Sequence, residues 1–86
     1  MPASSEAVLP PDVDLHARPA AEFVRTAMRF SSSVMIAAGG READAKSLLS
    51  VLGLGARRGT TVRLRADGDD AAEAVGVLSA CVAALQ

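Results

Sequence analysis

Leu15-His16-Ala17-Arg18-Pro19-Ala20-Ala21-Glu22-Phe23-Val24 reads as the entry of a helix, and the rest of the chain is arranged around it. Pro19 suits a first helical turn, where a missing N–H forfeits no intrahelical bond. Ala20, Phe23, Val24, Ala27 and Met28 then recur at i, i+3, i+4, i+7 and i+8, with Phe30 at the far end. That is one apolar stripe, and it predicts an amphipathic helix over residues 17–30. Glu22, Arg25 and Arg29 fall on its solvent side. The helix start holds the chain's single histidine, His16, with Arg18 two residues later. A helix N-terminus and a guanidinium both favour phosphate, and imidazole is a nucleophile able to carry a phosphoryl group. His16 is therefore the candidate acceptor. Arg18, together with the free N–H groups of Ala17 and Arg18, is the candidate phosphate-binding set.

Toward the N-terminus, residues 7–9 form a candidate strand that Pro10-Pro11 cuts short, since proline supplies no ladder donor. Residues 1–6 are short and polar and are expected to be a loose lead. Asp12-Val13-Asp14 forms the approach to the site. Toward the C-terminus, Ser31-Ser32-Ser33 ends the helix. Residues 34–38 follow as a strand with Val34, Ile36 and Ala38 on one face. Gly39-Gly40 is a two-residue hairpin turn, and residues 41–44 return as a short polar edge strand. Ser47 is an N-cap for a second, shorter helix over residues 48–55, with Gly53 and Gly55 suited to its end. Residues 60–66 alternate, with Val62, Leu64 and Ala66 inward and Thr61, Arg63 and Arg65 outward. Asp67-Gly68-Asp69-Asp70 is a turn leading to a helix cap, with its acids where the helix dipole favours them. A last helix places Ala71, Ala74, Val75, Leu78, Val82 and Leu85 on one stripe with Cys81 beside it. The order is β-α-β-β-α-β-α. One-sided helices and alternating strands imply an α+β fold whose sheet is covered on one face.

An 86-residue chain with half of its residues apolar makes one small domain, its core built from aliphatic side chains and two phenylalanines. A net charge of −1 argues against general affinity for nucleic acid or anionic membrane. The β-α-β-β-α-β order also suits small RNA-binding domains, but those stack bases on sheet aromatics, and no strand here carries one. One cysteine and one histidine allow neither an internal disulfide nor a metal cluster, and Cys81 is expected as a buried thiol. No apolar run approaches a membrane span and no signal segment is visible, so a cytoplasmic, free-standing chain is expected.

Two motifs in register carry a resemblance. Leu15-His16-Ala17-Arg18-Pro19-Ala20 with Phe23-Val24 resembles the active-site helix of HPr, the histidine-containing phosphocarrier of the bacterial phosphoenolpyruvate:sugar phosphotransferase system. Ala45-Lys46-Ser47-Leu48-Leu49 with Leu54-Gly55 resembles that family's regulatory-serine segment. The resemblance runs from about Ala7 to the C-terminus. It implies an open-faced β-sandwich, a four-stranded antiparallel sheet with three helices on one face. It further implies a carrier rather than a stand-alone enzyme, monomeric and needing no cofactor. Such a carrier takes a phosphoryl group from phospho-enzyme I on Nδ1 of His16, beside Arg18, and passes it to IIA domains of sugar permeases. The resemblance places docking around the second helix, with Leu49 and Leu52 as apolar contacts and Arg25 and Lys46 as rim charges. Read from the pattern alone, Leu49 and Leu52 could equally be core. Ser47 has two readings, a helix cap and a site for a regulatory serine kinase. Two departures stand out. Asp14 occupies a position where the family usually has glycine, and Val13 one where a polar residue is common. A carboxylate at Asp14 could hold the His16 ring or repel an incoming phosphate. These departures keep open an HPr-like regulatory paralogue, or a small-ligand regulatory module without phosphoryl relay.

Overall fold

The computed structural model describes residues 2–86. Its elements are β1 (Pro2–Val8), α1 (Ala17–Ala27), β2 (Ser33–Ala38), β3 (Arg41–Asp44), α2 (Leu48–Gly53), β4 (Thr61–Asp67) and α3 (Ala71–Ala83). The four strands form one antiparallel sheet in the order β1-β4-β2-β3, so the short polar β3 lies at an edge, as its composition suggests. Helix α3 lies across β1, β4 and β2, α2 packs against β3 and α1, and α1 also contacts α3. The other face of the sheet is open. Phe23, Ile36, Leu64, Leu78, Val51, Val62 and Val82 are all buried between the layers. Burial of each such side chain contributes roughly 1.5–3 kcal/mol.

The N-terminal segment corrects one expectation. Residues 2–6, read as part of a loose lead, continue β1 in register with β4 from Pro2↔Asp67 to Val8↔Thr61. Met1, the remainder of that lead, lies outside the described residues. The apolar pattern is faint because Ala3, Ser5 and Ala7 are the half-buried positions, while Val8 points out and is 54% exposed. The hydroxyl of Ser5 meets that of Ser79 on α3 at 2.6 Å, which satisfies a polar group on the covered face. Pro10 and Pro11 fall after the strand and so disturb no ladder bond. Leu9, just past its end, is buried and bonded from its N–H to the Thr60 carbonyl.

Helix α1 ends three residues before the end expected for it. Tighter bonds from Arg29 N–H to the Thr26 carbonyl and from Phe30 N–H to the Ala27 carbonyl close its last turn and still bury Phe30. Met28 belongs to the expected stripe but is 62% exposed. At 100° per residue it stands about 80° round the helix from Ala20, past the margin of the buried face. Val13, where the resemblance leads one to expect a polar residue, is part of the core.

The turn before α3 also departs from its expected role. Asp70 sits at the N-cap position but makes no cap bond to its own helix. Its carboxylate instead accepts from the N–H and hydroxyl groups of both Ser31 and Ser32, tying the α1–β2 connection to the β4–α3 connection. These donors, the Ser32 hydroxyl first, hold its pKa down to about 2. Gly68 packs directly against this knot, with φ +147° and the Ser32 Cα only 2.8 Å from where a Cβ would stand.

Candidate functional site

His16 is the N-cap of α1, exposed and in extended backbone with φ −136° and ψ 170°. Beneath it Leu15 is buried, and the Leu15 N–H donates to the Ala56 carbonyl at 2.9 Å. The histidine is thus carried on a core residue while its own ring faces solvent. The His16 N–H donates to the Asp14 carbonyl at 2.9 Å, and the His16 carbonyl accepts from Ala20 N–H at 3.3 Å.

An imidazole is not a capping group of the Ser or Asp kind, and here it makes no cap bond. The first turn therefore keeps its donors. The N–H groups of Ala17 and Arg18 have no acceptor among the described residues, and Pro19 has no N–H to satisfy. Together with the positive end of the helix dipole, they make a small anion-attracting surface at the ring. The chain reaches this arrangement through Ala17 at φ +34°, the one non-glycine with positive φ among the described residues. An alanine there costs about 1–2 kcal/mol. Arg18 is exposed, forms no ion pair among the described residues, and lines a shallow depression with Glu22, Ala84 and Gln86.

The Asp14 carboxylate makes no hydrogen bond to the His16 ring and is engaged by Arg58 instead. Its Oδ1 accepts the Arg58 backbone N–H at 2.8 Å and stands 3.5 Å from Arg58 Nε. The Arg58 N–H first, then the Arg58 guanidinium and the nearby His16 ring, hold the Asp14 carboxyl below its ordinary value. Nothing in the sequence pairs two residues 44 positions apart, so Arg58 read only as part of a loop. The one available signal was the unusual carboxylate at Asp14.

The second helix is capped by Ser47, whose hydroxyl accepts from the Ser50 N–H at 3.3 Å. It buries Val51 and leaves Leu48, Leu49 and Leu52 outside, with Leu49 83% exposed. That removes the core reading of Leu49 and Leu52. Lys46, expected as a rim charge, is half-buried and donates from Nζ to the Phe30 carbonyl at 2.7 Å. Arg25 is exposed in the last turn of α1. These contacts also orient α2. Its Ser47 end lies by the C-terminal end of α1, and the segment that follows α2 returns to Leu15 through Ala56. Ser47 and His16 therefore lie toward opposite ends of α1, which spans about 16 Å. The exposed leucines of α2 lie on the path between them. Cys81 is half-buried, with its thiol 3.8 Å from Thr26 Oγ1 and its pKa pushed up by burial. Among the described residues no helix is long and apolar enough to cross a membrane.

Comparison with known proteins gives concordant results. A family model described as "PTS HPr component phosphorylation site" matches residues 3–84. The phosphocarrier protein HPr of Haemophilus influenzae is 43% identical over 72 residues, which cover 84% of this chain and 85% of that protein. The phosphocarrier protein HPr of Xylella fastidiosa strain 9a5c is 39% identical over 74 residues, covering 86% and 83%. The crystal structure of a phosphocarrier protein HPr from Bacillus anthracis superposes with a TM-score of 0.89 at 32% identity, covering 94% of this chain and 96% of that one.

Proposed function

The chain belongs to the HPr phosphocarrier family of the phosphotransferase system, and on that premise we propose that it takes a phosphoryl group from phospho-enzyme I on His16 and gives it to IIA domains of sugar permeases. The observation that carries this reading is the exposed His16 ring at a helix N-terminus with unsatisfied Ala17 and Arg18 N–H groups and an unpaired Arg18. The Nδ1 lone pair attacks phosphorus and a P–N bond forms as the bond to the donor breaks. The donor leaves with that bonding pair. In the second transfer a nucleophile of the IIA domain attacks, and the pair of the P–N bond returns to Nδ1. The transferring group spreads negative charge over its equatorial oxygens, so positioning and electrostatics supply most of the catalysis. The first-turn N–H groups face those oxygens, and Arg18 adds charge-assisted bonds. The protein is a carrier, a reactant in each transfer and not a stand-alone catalyst.

Docking to both partners falls to the exposed face of α2, through Leu49 and Leu52, with Arg25 as a rim cation meeting acidic partners. Lys46 supports that face by holding the end of α1 and contributes less as a rim charge. Small, briefly occupied interfaces suit a carrier that must leave each partner quickly. A phosphate on Ser47, added by a serine kinase, would act by opposing the approach of an acidic partner, because it stands far from the ring. The chain works as a single monomeric domain in the cytoplasm. The test is intact-mass spectrometry after incubation with phosphoenolpyruvate and a bacterial enzyme I. An acid-labile gain of one phosphoryl group in the wild type and none in His16→Ala is expected. No gain in the wild type while a known HPr is phosphorylated in parallel overturns the reading.

A further inference from the structure

Asp14, two residues before His16, holds a second arginine, Arg58. Segments 9–16 and 56–59 are laced together on both sides of Arg58. Leu15 N–H donates to the Ala56 carbonyl, and Gly59 N–H is shared between the Leu9 and Pro10 carbonyls. Asp14 Oδ1 takes the Arg58 N–H at 2.8 Å. The backbone of Arg58 is therefore fixed relative to the residue two places before His16. Its side chain is held far more loosely. Contact with Asp14 is through Nε at 3.5 Å, and the guanidinium side chain remains 64% exposed. Beyond Asp14 the guanidinium makes no hydrogen bond or ion pair with any described residue. An exposed ion pair of this length contributes little, so little opposes a change of partner. A phosphoryl dianion carries more charge than a carboxylate and accepts the guanidinium fork in a bidentate manner.

We propose that Arg58, parked on Asp14 while His16 is bare, turns to the phosphoryl group once His16 carries one and acts as its second cationic ligand. The proposal rests on His16 as the phosphorylated residue and names a further ligand of that site. Asp14 has two roles in it. Its acceptance of the Arg58 N–H keeps the arginine in place, and its carboxylate competes with the phosphate for the guanidinium. The adjacent Arg57 is exposed and is not bound to Asp14, so it provides a control of equal charge.

The experiment uses the whole chain phosphorylated on histidine with phosphoramidate, so it does not depend on enzyme I. A parallel sample with phosphoenolpyruvate and enzyme I tests the relay separately. The second ionisation of the phosphoryl group is followed by phosphorus NMR, and the arginine Nε–H signals by nitrogen–proton correlation. A neighbouring cation lowers that midpoint, so Arg58→Ala is expected to raise it by about 0.3–0.7 pH unit, the shift that matches an exposed charge pair. Arg57→Ala is expected to leave it within about 0.1 unit, as suits a cation not directed at the phosphate. Asp14→Asn, which keeps an acceptor but removes the competing charge, is expected to lower it. The Arg58 Nε–H signal moves on phosphorylation and that of Arg57 does not. Equal shifts from Arg57→Ala and Arg58→Ala, or an Arg58 signal unmoved by phosphorylation, overturn the proposal. Failure of the enzyme I sample alone counts against the relay and leaves this assignment standing.

Discussion

Ala17 and Asp70 show how single residues set this molecule's local energetics. At φ +34° an alanine bears a left-handed backbone that glycine would adopt without a Cβ clash. The entropy that glycine loses on folding offsets part of the relief. Ala17→Gly is accordingly expected to leave stability unchanged or raise it by up to about 1 kcal/mol in urea unfolding. A clear loss would show that the strain is not real. Asp70 acts through its charge. Its folded pKa of about 2 lies below the ordinary value of 3.8, so its contribution is fully present above pH 3.8 and is lost as pH falls toward 2. Urea unfolding of the wild type and Asp70→Asn across that range is expected to show an advantage for the wild type that shrinks below pH 4 and is mostly gone by pH 2. An advantage independent of pH would mean that the serine bonds do not favour the ionised form.

At the scale of elements, α2 is only six residues long and owes its existence to a cap at one end and burial of Val51 beneath it. Ser47→Ala is expected to cost about 1 kcal/mol, read as a lower urea midpoint. Ser47→Asp keeps a capping acceptor and is expected to fold as well as the wild type. If α2 is the docking face, it also slows phosphorylation of His16 by enzyme I, and an unchanged rate would remove Ser47 from regulation. The β4–α3 connection is less forgiving. Gly68→Ala forces a side chain onto the Ser32 backbone at a backbone angle that L-residues avoid. It is expected to destabilise the fold by more than Ser47→Ala does in the same unfolding assay.

For the whole molecule, β1 matters more than its composition suggests. It pairs along the full length of β4 and lies under α3, so it closes one side of the core. Deleting residues 2–6 strips most of that pairing and leaves β4 as an edge strand. The truncated chain is expected to melt at a lower temperature, with faster hydrogen exchange at the Val62, Leu64 and Ala66 amides. Unchanged exchange at those amides would make the N-terminal segment dispensable.

Periodicity was enough for α1, β2, β4 and α3, because Phe23, Ile36, Leu64 and Leu78 repeat with the spacing of their elements and each element has one dry side. His16, Ala17, Arg18 and Ser47 were legible for the same local reason, since a helix start with proline and a serine cap are written in neighbouring residues. Local pattern carries no information about pairing across the fold. Residues 2–6 became a strand because β4 offers them a ladder and Ser79 answers Ser5. Lys46 became a strut because the end of α1 presents the Phe30 carbonyl to it. The Asp14–Arg58 pair and the Asp70 knot join residues 38 to 44 positions apart. The sequence by itself determined the order of the elements and which residues stand at the start of α1. Only the tertiary structure decided which polar groups meet, because a hydrogen bond depends on distances between elements and local spacing does not encode them.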